Sequence, residues 1–293
     1  MVVKVTIRKV IKKIINVFVL LLIIVILTVI MKVFLFASFL IPTPSMAPAI
    51  EPGDHVFVNK LSLGPRLYEN WRFLKGEKTT MKRISGLSKV KRNDVLVFDF
   101  PYNTPDKIRQ GGNTIYIKRC VAIPGDTFYI DNGIYKVKGI SESLGDVVRQ
   151  LKLSETDKDS FREEIRNVFP RDTAYFRWTI KDFGPIYVPA KGDNIKIDSL
   201  SVFLYKNLIE YETEKTISVK DGMIYLEDSL IQCYTFKQNY YFMAGDLVFD
   251  SIDSRFWGLL PDDLVIGKAS IIWKSTDLRT GKYRWGRFLK MVK

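Results

Sequence analysis

Histidine occurs once in 293 residues, at position 55, and cysteine twice, at 120 and 233. One histidine excludes most hydroxyl–imidazole triads, because the nucleophile needs its base within hydrogen-bond reach. Only His55 is available, and no third member is marked for it. Two cysteines exclude a disulfide-stapled scaffold. They allow one bridge, or a pair of buried free thiols. Zinc-ligand spacings, a phosphate-binding Walker loop and the aromatic signature of RNA-binding domains are all missing. Helical periodicity is scarce; the best candidate is 155–168, ending near Pro170.

Acidic residues are absent from the chain before its long apolar run, where Lys4, Arg8, Lys9, Lys12 and Lys13 stand. The run, IINVFVLLLIIVILTVIM at 14–31, is apolar except for Asn16 and Thr28, and VFLFASFLI follows Lys32. About 20 apolar residues cross a bilayer core, and Lys32 can snorkel at the far end. The positive-inside rule puts the basic end in the cytoplasm and everything after about residue 37 outside. A cleaved secretory signal fits less well: the run is longer than a signal core and no small-x-small site follows it. The formal charge of +13 suits an anionic neighbour. Nucleic acid is not expected as a partner, since only the first dozen or so residues face the cytoplasm; the lipid bilayer is.

Beyond the anchor, 47% hydrophobic content with 19 Phe, 14 Tyr and 5 Trp suits a β-rich core. HVFVNKLS, DVLVFDF, TIYIKRCVAI, TFYIDNG, IYLEDSLI, YYFMAG and LVIGKASIIW read as strands. Many follow turns that carry an acid: PGD at 52–54, KRND at 91–94, PGD at 124–126, KGD at 191–193, AGD at 244–246 and PDD at 261–263. Their spacing is not constant, which excludes a solenoid or propeller. The expected fold is mainly β, of antiparallel sheets behind one N-terminal transmembrane helix. The expected organisation is a basic cytoplasmic start at 1–13, a transmembrane helix at 14–36, a catalytic core in two parts at 37–138 and 220–275, a smaller lobe inserted at 139–219, and a basic aromatic tail at 276–293. The tail reads equally as solvated or as interfacial.

Three stretches carry chemistry. In FLIPTPSMAPAIEPGDHV, from Phe39 to Val56, Pro44 and Pro48 bracket Ser45 and bias Thr43 and Ala47 toward extended shapes. In TIYIKRCVAIPGD, Lys118 lies in an apolar strand, where alternation gives it a face shared with Tyr116 and Cys120. Burial disfavours the ammonium form and would make such a lysine a base. In GDLVFDSIDSRFWG, at 245–258, Asp253 and Arg255 are placed to pair, and Ser251 to hold a neutral amine.

These pieces together resemble the bacterial type I signal peptidases. Ser-Met-x-Pro at 45–48, Gly-Asp and a strand at 53–58, Tyr-Ile-Lys-Arg at 116–119 with Pro-Gly-Asp at 124–126, and the run Gly-Asp…Ser-x-Asp-Ser-Arg-x-Trp-Gly at 245–258 occur in the family's order. The resemblance covers the anchor, about 39–64, 90–130 and 239–275, and implies a membrane-anchored signal-peptidase-like β fold. It implies Ser45 as nucleophile, Lys118 as general base, Ser251 positioning the lysine, and Thr43 with the Ser45 N–H receiving the oxyanion. Asp253 and Arg255 would brace the site; Phe39, Ile41 and Tyr116 would meet the substrate. The implied activity is a serine endopeptidase that removes signal peptides after small residues, of the Ala-x-Ala kind, with neither metal nor cofactor. Implied partners are signal peptides of preproteins and the protein secretion machinery; the implied location is the plasma (inner) membrane with the catalytic part outside. Leu247, Val248 and Phe249 stand where the family commonly has Asn and further polar residues. A non-catalytic, membrane-anchored β-domain that only binds or scaffolds is the rival, and it expects Ser45 and Lys118 far apart.

Overall fold

The computed structural model describes residues 2–69, 81–104, 107–109, 114–157, 168–172 and 174–292. It opens with helix α1 (Val2–Ile30), continued by a π turn, Met31–Leu35. The stretch Ile11–Leu35 contains an 18-residue window with a mean hydropathy of 3.3, none of it buried in the protein. At 1.5 Å per residue it is about 37 Å long, enough for a hydrocarbon core of about 30 Å. That fits a membrane anchor. The helix ends where Phe36 turns extended and begins β1 (Phe36–Leu40). Lys60 donates to the carbonyls of Lys32 at 2.8 Å and Val33 at 3.1 Å, satisfying acceptors that a helix end leaves open.

The body is mainly β. Its principal sheet contains β1, β2 (Asp54–Asn59), β3 (Val95–Asp99), β4 (Ile115–Ala122), β5 (Tyr240–Ala244), β6 (Leu260–Pro261), β7 (Val265–Ser275) and β8 (Lys290–Met291). The order is β1-β2-β7-β3-β4-β5-β6, with β8 paired to β7. Register shifts at Phe242/Met243, Val265/Gly267, Ala269/Ile271 and Ile272/Lys274 mark bulges, which bend a sheet and raise its twist. Alternation along β3 splits the core. Val95 and Val97 join Met46, Ile50, Val56 and Ile117 in one cluster, while Leu96 and Phe98 join Cys120, Phe128 and Phe242 in the other. β4 is therefore covered on both sides, and a lysine in it is shut away from water.

Smaller sheets complete the body: Thr127–Asp131 with Ile134–Val137 and Phe183–Tyr187, a meander over Ile217–Lys220, Met223–Leu226 and Ser229–Leu230, and the pair Asn194–Lys196 with Cys233–Thr235. The helix expected at 155–168 falls largely on residues outside those described. Two helices that patterning did not reveal lie within 139–219: α2 (Val147–Glu155), N-capped by Asp146, and α3 (Ser201–Thr213). The buried residues of α3 are Val202, Tyr205, Leu208, Ile209 and Tyr211, a helical spacing masked by residues that favour strands. Both cysteines are free; Cys120 is buried and Cys233 exposed.

Each acid turn anchors something. Asp94 pairs with Lys268, Asp126 with Arg92, and Asp246 with Arg119. Asp193 accepts from the Tyr187 hydroxyl at 2.6 Å, and Asp262 from the Tyr241 hydroxyl at 2.9 Å. In the first turn, Gly53 has φ +92°, and a Cβ there would come within 1.8 Å of the Thr276 carbonyl oxygen. Asp54, next to it, is wholly buried and is held by Arg287 at 2.6 Å and Arg284 at 3.4 Å.

Those arginines correct the expected tail. Residues 276–292 are not simply solvated: Thr276 bridges Tyr283, Met291 pairs with Ile271, and Arg284 and Arg287 close on Glu51 and Asp54. Burial pushes the Asp54 carboxyl up, but the Arg287 guanidinium, the Glu51 N–H and the Ser275 hydroxyl more than reverse it, leaving it below its ordinary value. A depressed carboxyl stabilises the fold above its unfolded pKa, and that contribution is lost as pH falls through the folded value. Arg287→Ala is expected to cost about 3 kcal/mol at pH 7, since it strips the main partner from a buried charge. Urea unfolding of the full chain in detergent measures this, and the difference from wild type should shrink in acid.

Candidate active site

Ser45 sits in the turn after β1. The prolines are expected to bias Thr43 and Ala47 toward extended shapes; the stretch 43–50 as a whole forms a turn, with Ala47 N–H on the Pro44 carbonyl at 2.7 Å and Ile50 N–H on the Met46 carbonyl at 2.9 Å. Met46 and Ile50 are both fully enclosed in the same cluster, and their burial holds this turn against the core. A second tie comes from the 245–258 stretch: the Leu247 N–H donates to the Ser45 carbonyl at 3.0 Å.

Across the cleft, β4 supplies Lys118. Its Nζ lies 2.7 Å from the Ser45 Oγ, and both residues are buried. Nζ also donates to the Ile117 carbonyl at 3.1 Å and stands 5.2 Å from the centre of the Tyr116 ring. Burial is the largest influence on this amine and pulls its pKa down; Asp253 and Asp246 push it back up, Arg255 pulls it down, and it settles at about 8. A hydroxyl and an amine at this distance can exchange a proton directly once the amine is neutral.

The expected partnership of Asp253 and Arg255 is present in the structure. Arg255 Nε meets Asp253 Oδ1 and Nη2 meets Oδ2, each at 2.8 Å, with both side chains inaccessible to solvent. Asp253 also accepts from the Gly245 N–H at 2.9 Å and caps the short helix α4 (Ser254–Trp257), and Arg255 Nη2 donates to the Val248 carbonyl at 3.0 Å. The apolar run Leu247–Phe249 thus takes part through its backbone, which is indifferent to side-chain identity. Ser251 departs from expectation. Its buried hydroxyl has no hydrogen-bond partner among the described residues, and Lys118 bonds to Ser45 and Ile117 instead.

Phe39, Ile41, Thr43, Ser45, Tyr116 and Lys118 all line one cavity of about 420 Å³. Thr43 is exposed, Phe39 half-buried, and Ile41 is both cavity wall and core. His55 is elsewhere, packed edge-on against Trp273 with ring centres 5.5 Å apart.

Sequence reasoning placed three further contributors in the motifs but gave them no role. Arg119 and Asp246 form a buried two-point pair, Nε–Oδ1 at 2.7 Å and Nη2–Oδ2 at 2.6 Å, joining β4 to the 245–258 stretch. The repeated acid turns were the available signal, since each carboxylate implies a distant cation. The third is Gly245, where a Cβ would come within 2.1 Å of the Ser251 Oγ and 2.7 Å of the Ser45 carbonyl oxygen; its place in the Gly-Asp of the 245–258 run was the signal.

Comparison with known proteins identifies the family. A family model for signal peptidase, peptidase S26, matches residues 14–274. The chain belongs to this family, and is thereby a serine peptidase. Curated relatives named signal peptidase I include that of Buchnera aphidicola subsp. Schizaphis graminum, 28% identical, with 88% of this chain and 74% of the relative aligned. Those of Haemophilus influenzae and Helicobacter pylori are each 25% identical, covering 89% and 88% of this chain and 70% and 86% of their own. A crystal structure of a signal peptidase I from Enterococcus faecalis V583 matches at 18% identity and a TM-score of 0.29, over 63% of this chain and 100% of that one.

Gly245→Ala tests the close approach. The added methyl must displace Ser251 or the Ser45 backbone, costing about 1–3 kcal/mol. A displacement of about 1 Å at the reacting atoms costs about 10²-fold in rate. Turnover should fall by that factor while the melting temperature drops by only a few degrees.

Proposed function

We propose that this chain removes N-terminal signal peptides from exported preproteins, with Ser45 as nucleophile and Lys118 as general base. The observation that carries the reading is the buried contact of 2.7 Å between Lys118 Nζ and Ser45 Oγ. A non-catalytic scaffold has no use for a dehydrated amine against a hydroxyl.

In the proposed reaction, neutral Lys118 takes the Ser45 proton as Oγ attacks the carbonyl carbon. The Ser45 N–H and the Thr43 hydroxyl receive the developing oxyanion; one such donor is worth about 10²–10³ in rate. Lys118, now charged, gives its proton to the leaving amine. It then deprotonates a water that releases the acyl group. The idle Ser251 hydroxyl is assigned to hold the lysine during these transfers, and the Asp253–Arg255 pair to keep the 245–258 stretch in place.

The substrate is assigned an extended shape along the free edge of β1, the first strand of the sheet, where main-chain hydrogen bonds bind without regard to sequence. Phe39, Ile41 and Tyr116 would then admit small side chains, as in Ala-x-Ala. The basic residues before the anchor support a cytoplasmic N-terminus and an extracytoplasmic catalytic part at the bacterial plasma membrane. Ser45 follows the anchor closely enough to stay within about 30 Å of the bilayer face. A cleavage site emerging from the bilayer lies within that reach, and the secretion machinery is the expected source of the substrate.

Cleavage of a preprotein in detergent tests the dyad. Ser45→Ala and Lys118→Ala should each lower kcat by about 10⁴-fold or more while the circular dichroism spectrum stays native. Full activity in Lys118→Ala would remove the lysine from the mechanism. Because burial lowers the Lys118 pKa to about 8, the base is protonated below that pH. The kcat/KM should therefore rise as pH increases through about 8 and level off above it.

A further inference from the structure

A second cavity, of about 650 Å³, adjoins the first and shares Ile252 with it. A row of rings joins the two. Tyr116, in the wall of the first, stacks on Phe100 with centres 4.4 Å apart, and Phe100 meets Trp257 edge-on at 6.2 Å; Phe100 and Trp257 both line the second. Three cations stand around this apolar floor: Lys107, Arg171 and Lys206, the last on α3. One acid joins them, Glu210, which lies 3.9 Å from Lys206 and accepts the Ile217 N–H at 2.8 Å. Lys107 and Arg171 have no ion pair among the described residues, and all three cations are exposed.

We propose that this cavity binds the segment of the substrate polypeptide that follows the scissile bond, and that it favours apolar side chains accompanied by carboxylates. The proposal rests on the function above. Continuity supplies the occupant, because the second cavity shares Ile252 with the cavity that holds Ser45 and Lys118. The segment before the cut is the poorer candidate. It stays joined to an apolar stretch in the membrane and lies along β1, whereas no residue of α1 or β1 lines the second cavity. Charge supplies the preference: with two of three cations unpaired, a carboxylate is attracted and a lysine repelled, mainly through encounter and binding.

Three substrates test this with the full chain in detergent. Two are preproteins that differ only in the ten or so residues after the cut, one carrying Asp among apolar residues and the other Lys at the same positions. The third is a peptide ending two residues after the cut, which reports on Ser45 and Lys118 alone. Rates of wild type, Arg171→Glu and Arg171→Glu/Lys206→Glu are each normalised to that peptide. Wild type should prefer the acidic preprotein by about tenfold in kcat/KM, through KM. The single variant should lose most of that preference, and the double variant should reverse it. An equal preference in all three enzymes overturns the proposal. If wild type leaves even the short peptide intact, the function falls and the proposal with it; if the short peptide is cut but the preference is unmoved, only the second cavity's role falls.

Discussion

A lysine can serve as a base near neutral pH only where water cannot solvate its ammonium form, and the rest of this molecule is arranged around that constraint. Lys118 occupies a strand covered by apolar side chains on both faces. The same burial that weakens its hold on a proton would be ruinous without nearby hydrogen-bond partners, since an isolated buried polar group costs several kcal/mol. Ser45 and the Ile117 carbonyl supply them. Asp253 and Asp246 oppose the loss of the proton, yet each is occupied by its own arginine, so burial prevails.

The arginine–carboxylate pairs do a second job. Arg119–Asp246 and Arg255–Asp253 are enclosed and make two hydrogen bonds each, a geometry that fixes orientation as well as distance. Between them they pin the 245–258 stretch to β4 and to itself. That stretch in turn reaches the Ser45 carbonyl through the Leu247 N–H. The two reacting side chains thus lie on different segments but are referenced to one frame. The tail adds an outer tie, since Arg284 and Arg287 grip the turn from Glu51 to Asp54 on the other side of the Ser45 loop. Part of the basic surplus serves inside the fold rather than facing an anionic partner.

Legibility followed the range of each interaction. The strands at Val95–Asp99 and Ile115–Ala122 and the anchor were readable because alternation and unbroken apolar runs are local patterns. Pairing of Asp253 with Arg255 was readable for the same reason, being two residues apart. The turn at 43–50 was not legible because the burial of Met46 and Ile50 against distant strands, which holds it, is not a local pattern. The α3 helix was hidden by Val, Tyr and Ile, which suit a strand locally and are buried here at helical spacing. Ser251 was expected on Lys118 from its hydroxyl and from the family resemblance, whereas the structure packs it against Gly245.

By itself, the amino-acid sequence determined the anchor, the mainly β character and the residue types available for catalysis. With one histidine, a lysine was an available base for a hydroxyl; Lys118 lay in an apolar strand, and the resemblance singled it out. The tertiary structure alone decided that Ser45 and Lys118 touch, that Asp246 finds Arg119 and Asp54 finds Arg287, and that position 245 has no room for a side chain. Those pairings span tens to hundreds of residues, and nothing in a local pattern encodes which distant cation a carboxylate will meet. Burial, which sets the protonation of the amine, is a property of the packed sheet and of no single segment.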